Sequence, residues 1–281
     1  MNYLFSIAMG FLQGVAEFLP ISSSGHLTLF QYFFSPEQNP EELDMLFTVL
    51  LHFGTLISVC VYYWRDIIDM IREFFLGISD LFSRRGSHEG RPPEARRLVL
   101  MIIVGTLPLF AVLLVKDTVD AAFSNVTFVS AALIATGFLL FFSDRMAKGR
   151  KTARTATILD ALLVGCAQAV GTLPGISRAG STISAGMFCG FDRTFAVRFS
   201  FLLSLPAVLG ANILEIADAV QAGGVDMSRL PMYIVGMVVA GVVGYFAIRL
   251  VNLLANKGKF GAFAYYCWAV GIVSLVASFL V

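Results

Sequence analysis

Charged residues are scarce in this chain of 281 residues, since only 14% are Asp, Glu, Lys or Arg, whereas a soluble domain carries about 25%. Hydrophobic residues make up 57%, and the mean hydropathy is +0.80. This balance excludes a single soluble globule and predicts an integral membrane protein in contact with membrane lipids. The net charge of +1 provides no basic surface, so we expect no nucleic-acid partner.

Cysteine and histidine are also rare, with four and three residues. The cysteines lie singly in apolar segments without CxxC spacing, which predicts buried, inert thiols rather than a disulfide or a zinc site. The four are Cys60, Cys166, Cys189 and Cys267. Among the histidines, His52 is predicted to be a core residue, with support of a nearby site as the alternative. His88 lies in a basic connection, where we expect it to be solvated.

Six apolar segments are long enough to cross a membrane, because about 20 helical residues span about 30 Å of hydrocarbon. They cover residues 46–64, 98–115, 128–142, 195–216, 232–251 and 260–280. Two further apolar blocks, 3–34 and 158–191, are interrupted near the middle by Pro, Gly and Ser residues, which break helices. Broken backbone at membrane depth must be buried in protein or line a wet cavity. Each block is therefore predicted to be a re-entrant pair of half-helices.

The distribution of basic residues supports this layout. If both blocks are re-entrant, 17 of the 20 Lys and Arg residues lie in connections on one side of the membrane. These connections are 65–97, 144–157, 192–198 and 249–259. The positive-inside rule makes that side cytoplasmic and places both termini outside. Lys116 and Arg229 remain on the outer side, near the acidic connection 37–44, and Arg178 lies inside the second break.

The two interrupted blocks also resemble each other. The matched pairs are Gly10 with Gly165 and Gln13 with Gln168 at an offset of 155, and Leu19 with Leu173, Pro20 with Pro174 and Ser23 with Ser177 at 154. Each half then has one re-entrant pair followed by three spans, which gives an inverted-topology repeat. The sequence therefore predicts an all-α polytopic membrane protein with a single domain, 1–281, and internal repeats at about 1–145 and 155–281.

Polar residues cluster at the first break. Gln13 and Glu17 are four residues apart and share one face of a helix just before the break. A carboxylate at membrane depth costs about 2.5 to 3.5 kcal/mol on insertion scales, so Glu17 needs a partner or a function. After the break, Ser22 to Ser24 open the returning half-helix, where free N–H groups attract an anion or where a serine is only an N-cap. With His26 one turn later, these groups could form an activated nucleophile.

Arg178 is the basic residue of the second break. It follows Ser177 in a Pro-Gly turn, and its planar fork of donors fits a phosphate. The alternative is an internal salt bridge to Glu17, and both arrangements can hold at different stages of turnover. Glu17 and Gln13 with a bound phosphate would form a thin but acceptable cage for Mg²⁺, with Ca²⁺ as the second candidate.

The two breaks resemble the signatures of a known family. The segment from Gln13 to His26, QGVAEFLPISSSGH, resembles the first signature of the bacterial undecaprenyl-diphosphate phosphatases of the bacitracin-resistance type. The segment from Pro174 to Thr182, PGISRAGST, is similar to the second signature. The similarity covers the whole chain, including LHFGT from Leu51 to Thr55.

The resemblance implies hydrolysis of undecaprenyl diphosphate to the monophosphate and phosphate, with a divalent cation, in the bacterial inner membrane, at a site open to the outer face. It supports a catalytic set of Ser23, His26, Glu17 and Arg178, a substrate-binding set of Gln13, Ser22, Ser24, Ser177, Ser181 and Thr182, and metal binding by Glu17 and Gln13. Two positions depart from the family pattern, since Gln13 replaces the usual Glu and Ala179 a common Ser.

Two questions stay open at this point. The nucleophile is predicted to be Ser23 with His26 as its base, and His26 itself or water are the alternatives. The rival function is a lipid-phosphate flippase or transporter, because inverted repeats with broken helices also hold transported substrates. A homodimer is compatible with these observations.

Overall fold

The computed structural model of the protein describes residues 2–34, 45–82, 93–146, 149–221 and 227–280. Several residues used in the topology prediction lie outside these ranges, namely Glu37, Glu41, Glu42, Asp44, Arg84, Arg85, Arg91, Lys148 and His88.

The described ranges are built almost entirely of helices. The α-helices are α1 (Tyr3–Phe18), α2 (Ser23–Phe34), α3 (Met45–Tyr62), α4 (Trp64–Phe82), α5 (Glu94–Thr106), α6 (Leu109–Val112), α7 (Lys116–Phe123), α8 (Val126–Arg145), α9 (Ile158–Val170), α10 (Arg178–Phe188), α11 (Arg193–Gln221), α12 (Leu230–Asn256) and α13 (Ala262–Ala277). Short 3₁₀ turns occupy Leu113–Val115 and Met227–Arg229. The predicted all-α class is confirmed.

Both interrupted blocks contain two short helices joined by a non-helical turn, as predicted. In the first block, α1 ends at Phe18 and α2 begins at Ser23, with Ser22 in the left-handed region at φ +71°. In the second block, α9 ends at Val170 and α10 begins at Arg178, with Gly175 at φ +89°. The Pro and Ser residues of each turn thus end one helix and start the next.

Four helical segments are long and apolar enough to cross a membrane. They are Glu94–Phe123, which joins α5, α6 and α7, followed by Val126–Arg145, Arg193–Ala217 and Leu230–Asn256. A fifth span is formed if α3 and α4 count as one broken helix, although the two are bent by 83°. The predicted last span, 260–280, contains α13, which has 16 residues. A multi-pass membrane protein is therefore confirmed, and the count of six spans and their orientation stay predictions.

Helix α4 was not expected, because residues 65–97 were predicted to be a connection. It is amphipathic, and its apolar side chains Ile68, Ile71 and Phe75 are exposed. On its polar side, Asp66 accepts a hydrogen bond from Arg198 of α11 at 2.7 Å. Arg198 also donates to Glu94 of α5 at 3.0 Å. A helix with these two faces is typical of a membrane surface.

Close helix contacts in the core depend on residues without side chains. The first block packs on the second half of the chain, since a Cβ at Gly14 of α1 would lie 2.7 Å from the Ala240 carbonyl oxygen of α12. The second block packs on the first half, since a Cβ at Gly165 of α9 would overlap the Gly105 backbone of α5. Small residues at such contacts are typical of membrane helices. This crossed packing agrees with the proposed repeat, which stays a prediction.

The expectation of buried thiols is wrong for two of the four cysteines. Cys60 and Cys166 are exposed, Cys189 is half-buried, Cys267 is buried, and all four are free thiols. The physical reason is that an apolar membrane helix presents apolar side chains to lipid as well as to the protein interior.

The close approach of α1 and α12 predicts the effect of a single methyl group. We expect Gly14→Ala to destabilise the protein by about 1 to 3 kcal/mol, the usual cost of overpacking a core. Gly210→Ala is the matched control, because a Cβ at Gly210 meets nothing within 4 Å. Thermal unfolding in detergent should show a lower midpoint for Gly14→Ala only. Equal midpoints would contradict the packing described here.

Candidate active site

The two turns that break the helices contact each other. The Ser22 hydroxyl donates to the Ile176 carbonyl oxygen at 3.3 Å. A Cβ at Gly25 would lie 3.0 Å from the Gly175 Cα atom, so any side chain at the start of α2 would crowd the backbone of the second turn. The first and second breaks are therefore parts of one site.

Helix α8 fixes the second turn through Thr136. The Thr136 hydroxyl donates to the Gly175 carbonyl oxygen and accepts from the Ser177 N–H group, both at 3.1 Å. The Ser177 side chain accepts from the Gly180 N–H group at 3.0 Å, so it is the N-cap of α10. These bonds hold the backbone that places Arg178 at the beginning of that helix.

Glu17 is the centre of the first cluster of polar side chains. Its carboxylate is nearly buried, with 8% of the residue exposed, and it forms an ion pair with Arg178. Gln13 donates to its Oε2 atom at 3.1 Å, and Ser23 donates to the same oxygen at 2.7 Å. The carboxylate thus has a counter-charge and two hydrogen bonds, which accounts for its tolerance in an apolar protein.

The salt bridge that the sequence offered as an alternative role for Arg178 is present. The Arg178 side chain nevertheless retains 23% exposure, and its bond to Glu17 is made by Nη2. The ion pair joins α1 to α10, the two helices that flank the breaks.

His52 is part of this cluster, so its prediction as a core residue is wrong and the alternative, support of the site, fits the structure. Its Nδ1 atom lies 3.1 Å from Gln13 Nε2 and 3.7 Å from Glu17 Oε2. Because the amide group is a donor, the imidazole Nδ1 atom accepts from Gln13. No local pattern indicates these contacts, since His52 is 35 or more positions away from both partners.

His26 has a different set of contacts from Ser23 in this structure, and the pairing of Ser23 with His26 as its base stays a prediction. Its Nδ1 atom lies 2.8 Å from the Ser22 carbonyl oxygen, and its Nε2 atom lies 2.9 Å from the Tyr266 hydroxyl. Ser23 donates instead to Glu17. The helical spacing of Ser23 and His26 suggested a contact, but both ring nitrogens of His26 have other partners.

The remaining predicted substrate-binding residues differ in whether their hydroxyl groups have hydrogen-bond partners. Thr182 and Ser22 bond within the protein, since Thr182 lies 2.5 Å from the Ser200 hydroxyl and Ser22 accepts from the Gly25 N–H group at 3.2 Å. Ser22 is therefore the N-cap that the sequence offered as its alternative role. Ser181 is buried and its hydroxyl has no hydrogen-bond partner within the described ranges. Ser24 is half-buried, 3.3 Å from the Ser22 hydroxyl.

Sequence reasoning missed three contacts of the site, made by Thr136, Ser200 and Tyr266. Each lies in an apolar helix and carries a single hydroxyl group, and none stands in a recognisable motif. Their partners are 18 to 240 positions away in the chain. Only the packing of the helices identifies them.

The side chains fit a divalent cation that has few protein ligands. Among the described residues, no group of three or more His, Cys, Asp and Glu side chains is arranged to hold a metal ion. The Gln13 Oε1 atom is buried and has no hydrogen-bond partner there, and Gln13 is bonded to the Glu17 carboxylate. One amide oxygen and one carboxylate suit Mg²⁺, which commonly keeps several waters and binds substrate phosphates.

The fold and the site define a multi-pass membrane protein with a buried, charged cluster where two broken helices meet. The chain matches the family described as bacitracin resistance protein BacA over residues 6–273, and it belongs to that family. Among its relatives, an undecaprenyl-diphosphatase of Halothermothrix orenii is 41% identical over 271 residues, covering 96% of each chain. An undecaprenyl-diphosphatase of Methanosphaera stadtmanae is 37% identical and is covered, like this chain, over 99% of its length. An undecaprenyl-diphosphatase of Treponema denticola is 41% identical over 97% of this chain and 96% of its own.

The ion pair of the site predicts a coupled effect on stability. We expect Glu17→Gln and Arg178→Gln each to destabilise the protein by about 1 to 3 kcal/mol, because each leaves a charged partner unpaired. The double variant should lose less than the sum of the two, since it leaves no unpaired charge. Thermal unfolding of the four proteins in phosphate-free detergent buffer measures this. Strictly additive losses would contradict a direct ion pair.

Proposed function

We propose that this protein is a membrane enzyme that hydrolyses undecaprenyl diphosphate to undecaprenyl phosphate and phosphate. The observation that carries the proposal is the contact of Glu17, at the end of α1, with Arg178 and Ser23, the first residues of α10 and α2. Its relatives are named undecaprenyl-diphosphatases over nearly their whole length. The rival transporter function receives no comparable support from a specific contact or from these names.

The diphosphate would bind where the two helices begin. The free N–H groups at the start of α2 and α10 and their positive dipole ends favour an anion. Arg178 would exchange its bond with Glu17 for the terminal phosphate, and the Ser181 hydroxyl of α10, which has no hydrogen-bond partner within the described ranges, would be a further donor. Such fixed positive groups stabilise the charge that spreads over the transferred phosphoryl group.

The hydrogen bond from Ser23 to Glu17 supports Ser23 as the nucleophile with Glu17, rather than His26, as its base. The Ser23 oxygen would bond to the terminal phosphorus while the bridging P–O bond breaks and undecaprenyl phosphate leaves. The Ser23 proton would pass to Glu17. Water would then attack the phosphoserine and pass its proton to Nε2 of His26, while the Ser23 oxygen leaves the phosphorus and regains the proton held by Glu17, so that phosphate is released and the hydroxyl is restored. Direct attack by water is the alternative that the experiments below separate.

Gln13 and Glu17 would hold the divalent cation, with Mg²⁺ as the first candidate and Ca²⁺ as the second. When bound, it would supply positive charge to the phosphoryl oxygens. The bacterial inner membrane, with the site open to the outer side, is the location that the positive-inside rule supports. A homodimer stays a prediction.

Phosphate release from a polyprenyl diphosphate in detergent tests the function and its residues. We expect Arg178→Ala, Ser23→Ala and His26→Ala each to lower kcat by at least about 100-fold, as for groups that stabilise or perform phosphoryl transfer. Ser124→Ala is the control and should keep most of the activity, because the exposed Ser124 hydroxyl donates to the Ala121 carbonyl oxygen of its own helical segment. Near-normal turnover by Arg178→Ala would refute the site. Normal turnover by Ser23→Ala with loss in Glu17→Gln would favour attack by water.

The proposed cation site makes its own prediction. We expect EDTA to abolish phosphate release and Mg²⁺ to restore it. Gln13→Glu adds a second carboxylate, so it should lower the Mg²⁺ concentration for half-maximal activity by about tenfold, whereas Gln13→Leu should raise it. Titration of EDTA-treated protein with Mg²⁺ measures both shifts. Full activity in EDTA would show that phosphate release does not need a divalent cation.

A further inference from the structure

The two ring nitrogens of His26 have partners of different kinds. The Ser22 carbonyl oxygen, 2.8 Å from Nδ1, can only accept a hydrogen bond, so the ring proton resides on Nδ1. In the neutral ring, Nε2 then carries the lone pair. The Tyr266 hydroxyl lies 2.9 Å from Nε2 and therefore donates to it. The ring atom that could accept a proton during the reaction is thus covered by Tyr266.

Tyr266 reaches His26 from the other end of the chain. It lies on α13, and its ring is nearly parallel to the imidazole, with an angle of 8° and centroids 5.5 Å apart. His26 is 9% exposed, whereas Tyr266 is 44% exposed. A half-exposed phenol adds little to the core, yet its hydroxyl and ring face restrict both the rotation and the tautomer of a buried imidazole.

The neighbouring tyrosine provides a comparison within the same helix. Tyr265 is 59% exposed and packs on Phe141 and Trp268. Its ring contacts are with these two aromatic residues and not with His26. The two tyrosines therefore have the same side chain and lie next to each other on α13, but they differ in their contacts, since Tyr266 contacts His26 and Tyr265 packs on Phe141 and Trp268.

We propose that Tyr266 is the positioning residue of His26. The Tyr266 hydroxyl holds the imidazole with its proton on Nδ1 and with Nε2 unprotonated. During turnover, water replaces this hydroxyl at Nε2, and Nε2 takes up a proton. The part of this proposal that concerns proton transfer during turnover rests on the proposed function. The tautomer and the covering of Nε2 are independent of that function and can be measured without substrate.

Diethyl pyrocarbonate, which acylates unprotonated imidazole nitrogens, tests the covering of Nε2 in the full-length protein in detergent. The chain has three histidines, so mass spectrometry can follow each one. We expect Tyr266→Phe to raise the labelling rate of His26 about fivefold, the factor that one hydrogen bond provides, and to leave that of His52 unchanged. Tyr265→Phe should match the wild type. Equal His26 labelling in wild type and Tyr266→Phe would overturn the proposal.

Steady-state kinetics with a polyprenyl diphosphate provide the second test of the role of Tyr266. We expect Tyr266→Phe to lower kcat about fivefold with KM within about twofold, because a smaller share of His26 rings has the reactive orientation. The effect should vanish in a His26→Gln background, as for a residue that acts through another. An unchanged kcat, or the same loss in the His26→Gln background, would overturn the proposal. If no variant and no wild type releases phosphate, the proposed function fails while the labelling result still decides the role of Tyr266.

Discussion

The ion pair between Glu17 and Arg178 is the interaction on which the site depends. Either charge alone would be costly in an apolar interior, and together they neutralise each other across two helices that are far apart in sequence. In the proposed reaction, this pair is the resting form of the site. A phosphate that takes the place of the carboxylate at Arg178 would release Glu17 for a proton or a cation.

The broken helices explain why these charges can meet. A continuous helix satisfies its own backbone groups, whereas each turn here leaves N–H groups that can bind an anion. Thr136 and the caps Ser22 and Ser177 fix the turns by hydrogen bonds. The packing of α1 on α12 and of α9 on α5, through glycines, brings the turns together. Stability and chemistry thus depend on the same small and hydroxyl-bearing residues.

Local patterns were sufficient for the helical class and the two breaks, because Pro and Ser act over a few residues. The Glu17 to Arg178 pair spans 161 positions, and the sequence offered it as an alternative because isolated charges at membrane depth need a partner. Local patterns were insufficient for α4, because its amphipathic pattern lies in a basic region of the kind that usually connects membrane spans. They did not identify the hydrogen-bond partners that His26 has in this structure. The observed partner, Tyr266, is 240 positions away, and only tertiary packing can reveal such a contact.

The central claim is that a diphosphate displaces Glu17 from Arg178. It is tested most directly by the binding of a non-hydrolysable polyprenyl methylene-diphosphonate, measured as the rise in the thermal unfolding midpoint of the protein in detergent. The account predicts a clear rise for the wild type, an equal or larger rise for Glu17→Gln, whose Arg178 is already free, and none for Arg178→Gln. An equal rise in Arg178→Gln and the wild type would contradict it.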